Sequence, residues 1–227
     1  MTRLFSSLCK VAMITGTIFV ASNAVAQTKD HAPVALRSAS RMTQDRPGTE
    51  SWTYAQAQSV FKKYRTVIVD PTTVYQGADA QFDGIDAADR HKYASMITDE
   101  LRAEIAKTFP QPAKPKADTL RLRVTILGAT KTRGGLATAT RVTPLGFATS
   151  ALKSIRGKTG SLTGSLLYAV EVTDGRTNEL LLAAVRRRTP DPLDVPATIS
   201  QTETVRAVAR EFADGARKRL EELTGAR

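Results

Sequence analysis

Residues 160–188 read GSLTGSLLYAVEVTDGRTNELLLAAVRRR, and the rest of the chain is organised around them. Leu162, Gly164, Leu166, Tyr168, Val170 and Val172 occupy every second position, with Thr163, Ser165, Glu171 and Thr173 among the residues between. A period of two sets one face of a strand against a core and the other in water. Leu180 to Val185 is instead apolar without a break before Arg186, Arg187 and Arg188. Such a run predicts a strand covered on both faces in its middle and leaving the fold at its end. Asp174-Gly175-Arg176-Thr177-Asn178 supplies the turn, since Asp accepts from amides two residues on and Gly and Asn tolerate left-handed backbone. The stretch is a β-hairpin.

Residues 1–26 have the pattern of a secretory signal peptide. Arg3 and Lys10 are its positive region, Val11 to Val20 its short apolar core, and Ala24-Val25-Ala26 a small-x-small cleavage site. The apolar run is shorter than the about 20 residues of a membrane-spanning helix. Cys9 follows Ser6-Ser7-Leu8, but a lipid-modified cysteine comes after its apolar core, and here the core comes later. Cleavage after Ala26 and a periplasmic or secreted chain are therefore expected, without anchoring through Cys9. Cys9 is the only cysteine, so residues 27–227 form no disulfide and depend on a core. Removing Arg3 and Lys10 takes the net charge from +11 to +9. That excess suits anionic lipid, lipopolysaccharide or acidic partners; in such a compartment nucleic acid is not expected.

Residues 27–50 are polar and aperiodic, with Pro33, Pro47 and Gly48, and read as a disordered lead-in to one domain over 51–227. Trp52, Tyr54, Val60, Phe61 and Tyr64 form an aromatic cluster expected to cover one end of the core. Thr66 to Val69 is a short strand stopped by Asp70-Pro71, and 72–85 a loop whose Asp79, Asp83 and Asp86 charge the start of a helix. That helix is predicted over 86–109, with Ala94, Ile97, Leu101, Ile105 and Phe109 as its buried stripe. After Pro110, Pro112 and Pro115, Leu120, Leu122, Val124 and Ile126 alternate with polar residues in a strand. Strand, helix and strand in this order predict a right-handed crossover with parallel pairing, the two strands either adjacent or with another strand inserted between them. A shorter helix is expected in 143–156. The last helix starts near Ser200, capped with Glu203, and carries Val205, Val208, Ala209, Phe212, Ala216, Leu220 and Leu223 as its stripe. Phe212→Asp is expected to unfold the domain. The class is α+β: a two-layer domain with a mixed sheet of about four strands, the C-terminal β-hairpin and two long amphipathic helices on the sheet.

Between Thr119 and Val170 there are eight Lys or Arg and no acid, whereas 79–104 holds seven acids against three Lys or Arg. Either the two regions face one another, or a basic segment lies on an anionic surface. The candidate contacts for such a surface are Lys131, Arg133, Arg141, Lys153, Arg156 and Lys158, with Arg186, Arg187 and Arg188 at the end of the hairpin. Asp86, Asp89 and His91 do not share a helical face, which argues against a metal site. No nucleophile elbow, phosphate loop or metal motif occurs, so no cofactor and no catalysis are expected.

Tyr64-Arg65-x-Val67-x-Val69-Asp70-Pro71-x-x-Val74, with Trp52 and Tyr54 upstream, resembles the uncharacterised bacterial envelope family DUF3313. So do Thr119-Leu120-Arg121-Leu122-Arg123-Val124 and the segment from Leu145 through the D-x-x-T-x-E-L-L turn to the final helix. The resemblance covers residues 52–223 and implies no activity or site. Members are often lipoproteins, from which this chain departs, and Asn178 stands where glycine is common in the family's turn. The expected function is that of an exported, non-catalytic envelope protein binding an envelope partner or serving structurally. The alternative is a peripheral binder of anionic membrane or lipopolysaccharide through 131–158.

Overall fold

The computed structural model describes residue 29 and residues 31–132, 163–188 and 201–226. The strands are β1 (Thr43–Gln44), β2 (Trp52–Ala55), β3 (Thr66–Val69), β4 (Thr73–Val74), β5 (Gln81–Asp83), β6 (Thr119–Thr132), β7 (Thr163–Asp174) and β8 (Leu180–Arg188). Helix α1 (Ala87–Ile105) precedes β6, and helix α2 (Gln201–Thr224) follows β8. The signal peptide, the helix expected in 143–156 and the cap at Ser200 lie outside the described residues.

The hairpin is β7 and β8, in the middle of one sheet of order β1-β2-β8-β7-β6-β3, with β4 and β5 also on β6. Its turn is held by Asp174, whose Oδ1 accepts from the Arg176 and Thr177 amides at 2.8 and 2.9 Å. Asn178 takes the left-handed backbone at φ 59°. Gly175 serves a different need: its amide donates to the Thr119 carbonyl at 2.8 Å, and a Cβ there would stand 2.8 Å from the same oxygen.

β6 has β7 antiparallel on one side, with Val124 opposite Val170. On its other side β3, β4 and β5 lie parallel to it in succession, with Val67 opposite Leu120, Val74 opposite Ile126 and Phe82 opposite Ala129. They act as one edge strand broken twice, the first time at Asp70-Pro71, and α1 makes the crossover that a parallel neighbour requires. The mixed sheet and the α+β class are as expected, but the described residues form eight strands rather than about four. Segments of two to four residues are too short to show a period. Two of them, β4 and β5, fall within 72–85, which the sequence presents as a loop.

The two helices cover one face. Asp86 caps α1 by accepting from the Asp89 amide at 2.8 Å. Ala94, Ile97, Leu101 and Ile105 are buried, as is Phe109 beyond the end of the helix. Opposite them lie Leu120, Leu122, Val124 and Ile126, all buried. Burial of each large side chain contributes about 1.5–3 kcal/mol. Two acids of α1 meet α2: Arg217 lies 2.9 Å from Glu104 and Arg210 3.4 Å from Glu100. Arg121 and Arg123 turn instead to Asp70, at 3.7 and 3.3 Å.

The second face is covered too, which corrects both the two-layer expectation and the disordered lead-in. Ala32, Leu36 and Met42 are buried there against Tyr75, Leu127, Leu167, Ala169, Ala183 and Val185. A register shift between Ile126 and Gly128 turns Leu127 to this side. Ala183 and Val185 are buried on this face, while Leu182 and Ala184 on the helix side are only half-buried, so the uninterrupted apolar run of β8 is closed over on one face and partly open on the other. The aromatic cluster is divided between the faces: Phe61 and Tyr64 join the helix-side core, Trp52 and Tyr54 the second.

Candidate functional site

The basic end of the hairpin borders an apolar groove. Helix α2 packs over β7 but leaves the outer part of β8 uncovered, enclosing about 220 Å³ between them. Val170, Val172, Leu182 and Ala184 are its floor, Phe212, Ala216 and Leu220 its helical wall, and Arg186, Arg188, Glu211 and Arg219 its charged lining. The floor follows from strand alternation, which sends Leu182, Ala184, Arg186 and Arg188 to the helix side. The wall follows from the apolar stripe of α2, whose middle members Phe212 and Ala216 are only half-buried between buried Ala209, Leu220 and Leu223. Gly215 lines the groove as well, and a Cβ there would meet nothing within 4 Å.

One end of the groove is closed by an aromatic pair, Tyr168 and Phe212, with ring centroids 4.7 Å apart at 54°. Burial pushes the Tyr168 phenol up, while the Arg188 guanidinium donating to it pulls the other way. The same hydrogen bond, with Glu211 at 3.8 Å, holds Arg188 more firmly protonated.

The three arginines that end the hairpin are thus engaged. Arg186 donates to Thr53 Oγ1 at 2.8 Å and to the Trp52 carbonyl at 2.9 Å, and lies 3.0 Å from Asp45. Arg187 points to the second face, where it binds Glu50, Gln81 and, at 2.8 Å, Ser165 Oγ. Of the other candidates, the side chain of Lys131 and all of Arg133, Arg141, Lys153, Arg156 and Lys158 lie outside the described residues. The structure therefore brings Arg186 and Arg188 to one rim and turns Arg187 away. Sequence reasoning found the arginines and both apolar stripes but not the groove between them.

Among the described residues no group of three or more His, Cys, Asp or Glu is placed to hold a metal ion. No described helix is long and apolar enough to cross a membrane. The groove is suited to receiving an apolar side chain under a polar rim.

The family model for DUF3313, a protein of unknown function, matches residues 34–216. No curated protein matches the chain. Among solved structures, the PelC dodecamer from Paraburkholderia phytofirmans is similar at 14% identity and a TM-score of 0.38, covering 78% of this chain and 97% of that one. A DUF4136 family protein from Bacteroides thetaiotaomicron is similar at 11% identity and a TM-score of 0.38, covering 77% and 96%.

Proposed function

From the premise that the chain belongs to the DUF3313 family, we propose that it is an exported, non-catalytic protein of the cell envelope that works by binding a protein partner. The observation that carries this reading is the groove between α2 and β8, with its apolar floor and its rim of Arg186, Arg188, Glu211 and Arg219. A desolvated apolar centre inside a polar rim is the anatomy of a docking site for another protein. Export is supported by the signal-peptide pattern of residues 1–26.

The engagement of the hairpin's arginines weighs against the membrane-facing alternative. Contacts with anionic lipid depend on free positive charge, and Arg186, Arg187 and Arg188 each face a carboxylate, of Asp45, Glu50 and Glu211. A surface reading through 131–158 would have to rest on Lys131, Arg133, Arg141, Lys153, Arg156 and Lys158 alone.

The test is a photo-crosslinking amino acid placed at Arg219 or Arg188 on the groove rim, with Val34 on the opposite face as control. In living cells the rim positions are expected to give one discrete adduct with another protein that the control does not give. Equal labelling from Val34, or rim adducts only within the chain, would rule the groove out. An alkaline phosphatase reporter joined after residue 28 is expected to be active; an inactive reporter refutes export.

A further inference from the structure

A second cleft lies on the other face of the sheet, between the N-terminal segment and the strands. It consists of two hollows of about 390 and 250 Å³ that share Arg37, Arg123 and Glu171 in their linings. One wall is the segment itself, with Arg37 in both hollows and Ser38 and Arg41 in the smaller. The other wall is the sheet, where Arg123 of β6 stands opposite Glu171 of β7 and Thr73 and Thr125 extend the larger hollow. Arg37, Arg41, Asn178 and Glu179 are exposed, so the cleft opens to solvent, whereas Ser38, Glu171 and Thr173 are buried.

Two properties of the lining narrow what the cleft can hold. The first is charge. Arg123 is paired with Asp70 at 3.3 Å. Arg41 stacks 4.2 Å over the Tyr54 ring and Glu179 accepts from Gln56 at 2.7 Å, neutral contacts that leave both charges in place. Arg37 and Arg41 then stand against Glu171 and Glu179, and their charges cancel. A cation or an anion entering the cleft meets like charge as well as opposite charge, whereas a neutral ligand meets no repulsion.

The second is hydrogen-bonding character. Ser38 Oγ and Thr173 Oγ1 are buried without a hydrogen-bond partner among the described residues, and both residues line the smaller hollow. Buried hydroxyls are rarely left so, and each can donate as well as accept. Around them the guanidiniums only donate and the carboxylates only accept. Both are planar forks that engage two neighbouring atoms at once. A vicinal diol matches all three kinds of group. Its adjacent oxygens accept from a guanidinium, its two protons go to a carboxylate, and either hydroxyl suits Ser38 or Thr173. Two hollows joined through shared residues suit a ligand that repeats this pattern along its length. We propose that the cleft binds a neutral oligosaccharide, which bridges Arg37 and Ser38 of the N-terminal segment to Glu171 and Thr173 of the sheet.

The experiment is binding of the full chain to an array of neutral, acidic and amino-bearing oligosaccharides, followed by calorimetry of the strongest. A neutral member is expected to bind and, by tying the N-terminal segment to the sheet, to slow proteolytic cutting within residues 31–42 severalfold. Arg37→Gln on the exposed wall is expected to weaken its affinity tenfold or more. The same loss is expected of Thr173→Val, which keeps the shape of the side chain and removes the hydroxyl. Absence of binding by every neutral member overturns the proposal, as does binding confined to charged members. Affinity unchanged in either variant overturns it too, as does binding that leaves cutting within 31–42 unaltered. Should Thr173→Val fail to fold, Arg37→Gln alone decides. The groove between α2 and β8 lies on the opposite face, so none of these outcomes depends on crosslinking from Arg219.

Discussion

The Tyr64 hydroxyl donates a 2.8 Å hydrogen bond to Asp174 Oδ2 across 110 positions of sequence. It ties the turn of the central hairpin to the residue that leads into the parallel edge of the sheet. Lys63 Nζ lies 3.5 Å from the same carboxylate oxygen. Burial pushes the Asp174 carboxyl up, but the Thr177 amide, the Tyr64 hydroxyl, the Arg176 amide and the Lys63 charge together hold it down at about 2.

Asp174→Asn is therefore expected to destabilise the fold at neutral pH by about 2 kcal/mol. Because the folded pKa lies below the ordinary value, this contribution is complete above about pH 4 and is lost as pH falls through about 2. Urea unfolding of both proteins from pH 7 downward should show the two stabilities converging in acid. A gap that stays constant with pH would show that the charge of Asp174 contributes nothing.

Much of this architecture is legible in the sequence, and the remainder fails for identifiable reasons. Long periodic elements announce themselves: the α1 stripe from Ala94 to Phe109, the alternation from Leu120 to Ile126, and the hairpin with its Asp174 and Asn178 turn. The lead-in does not, because Ala32, Leu36 and Met42 follow no period and are fixed by distant partners. Charge bias says less than it suggests: Glu100 and Glu104 of α1 find Arg210 and Arg217 on α2, an element whose own composition is mixed and gives no hint of the pairing. The groove was half visible, as arginines and apolar stripes, but how far α2 overhangs β8 is a tertiary quantity.

The N-terminal segment is held by a second tyrosine–aspartate pair. Tyr75 donates to Asp79 Oδ1 at 2.7 Å and accepts from the Ala35 amide at 2.8 Å, while Asp79 Oδ2 accepts from the Val34 amide at 3.2 Å. Tyr75→Phe leaves the Ala35 amide without its acceptor and should release residues 31–42 before the sheet unfolds. Limited proteolysis is expected to cut the variant there several times faster, with little change in global melting. Burial and Asp79, against the pull of the Ala35 amide, push the Tyr75 phenol up to about 12. The contribution of this clamp is thus intact below about pH 10 and is lost as pH rises through about 12. Cutting at equal rates in both proteins would refute the clamp.

Gly128 tests the broken edge strand. A Cβ at this position would stand 2.5 Å from the Gln81 carbonyl, a backbone atom with little freedom to retreat. Gly128→Ala should therefore push β5 away from β6 and cost about 1–3 kcal/mol. Hydrogen exchange at Gln81, Phe82 and Asp83 should accelerate while exchange along β3 stays slow. Uniform acceleration along the whole edge would mean that β3, β4 and β5 do not open separately.

Gly215 separates stability from binding at the groove. A glycine inside a helix costs roughly 1 kcal/mol relative to alanine, and the added Cβ meets nothing within 4 Å. Gly215→Ala should raise the melting temperature by a few degrees, whereas Gly215→Leu should fill the groove and abolish partner crosslinking from Arg219 without unfolding the chain. Phe212 gives the complementary reading. It is half-buried and packed on Tyr168 at 4.7 Å, and the open groove beside it gives a charge at this position access to water. Phe212→Asp, which the sequence alone would have unfold the domain, is with this half-buried placement expected to cost about 2 kcal/mol, less than the about 3–5 kcal/mol of deleting a fully buried phenylalanine. A cooperative but lowered melting transition for Phe212→Asp, with crosslinking lost, would locate the docking surface on this wall. Complete unfolding would instead make Phe212 a member of the closed core, and the groove would lose its aromatic end as a binding element.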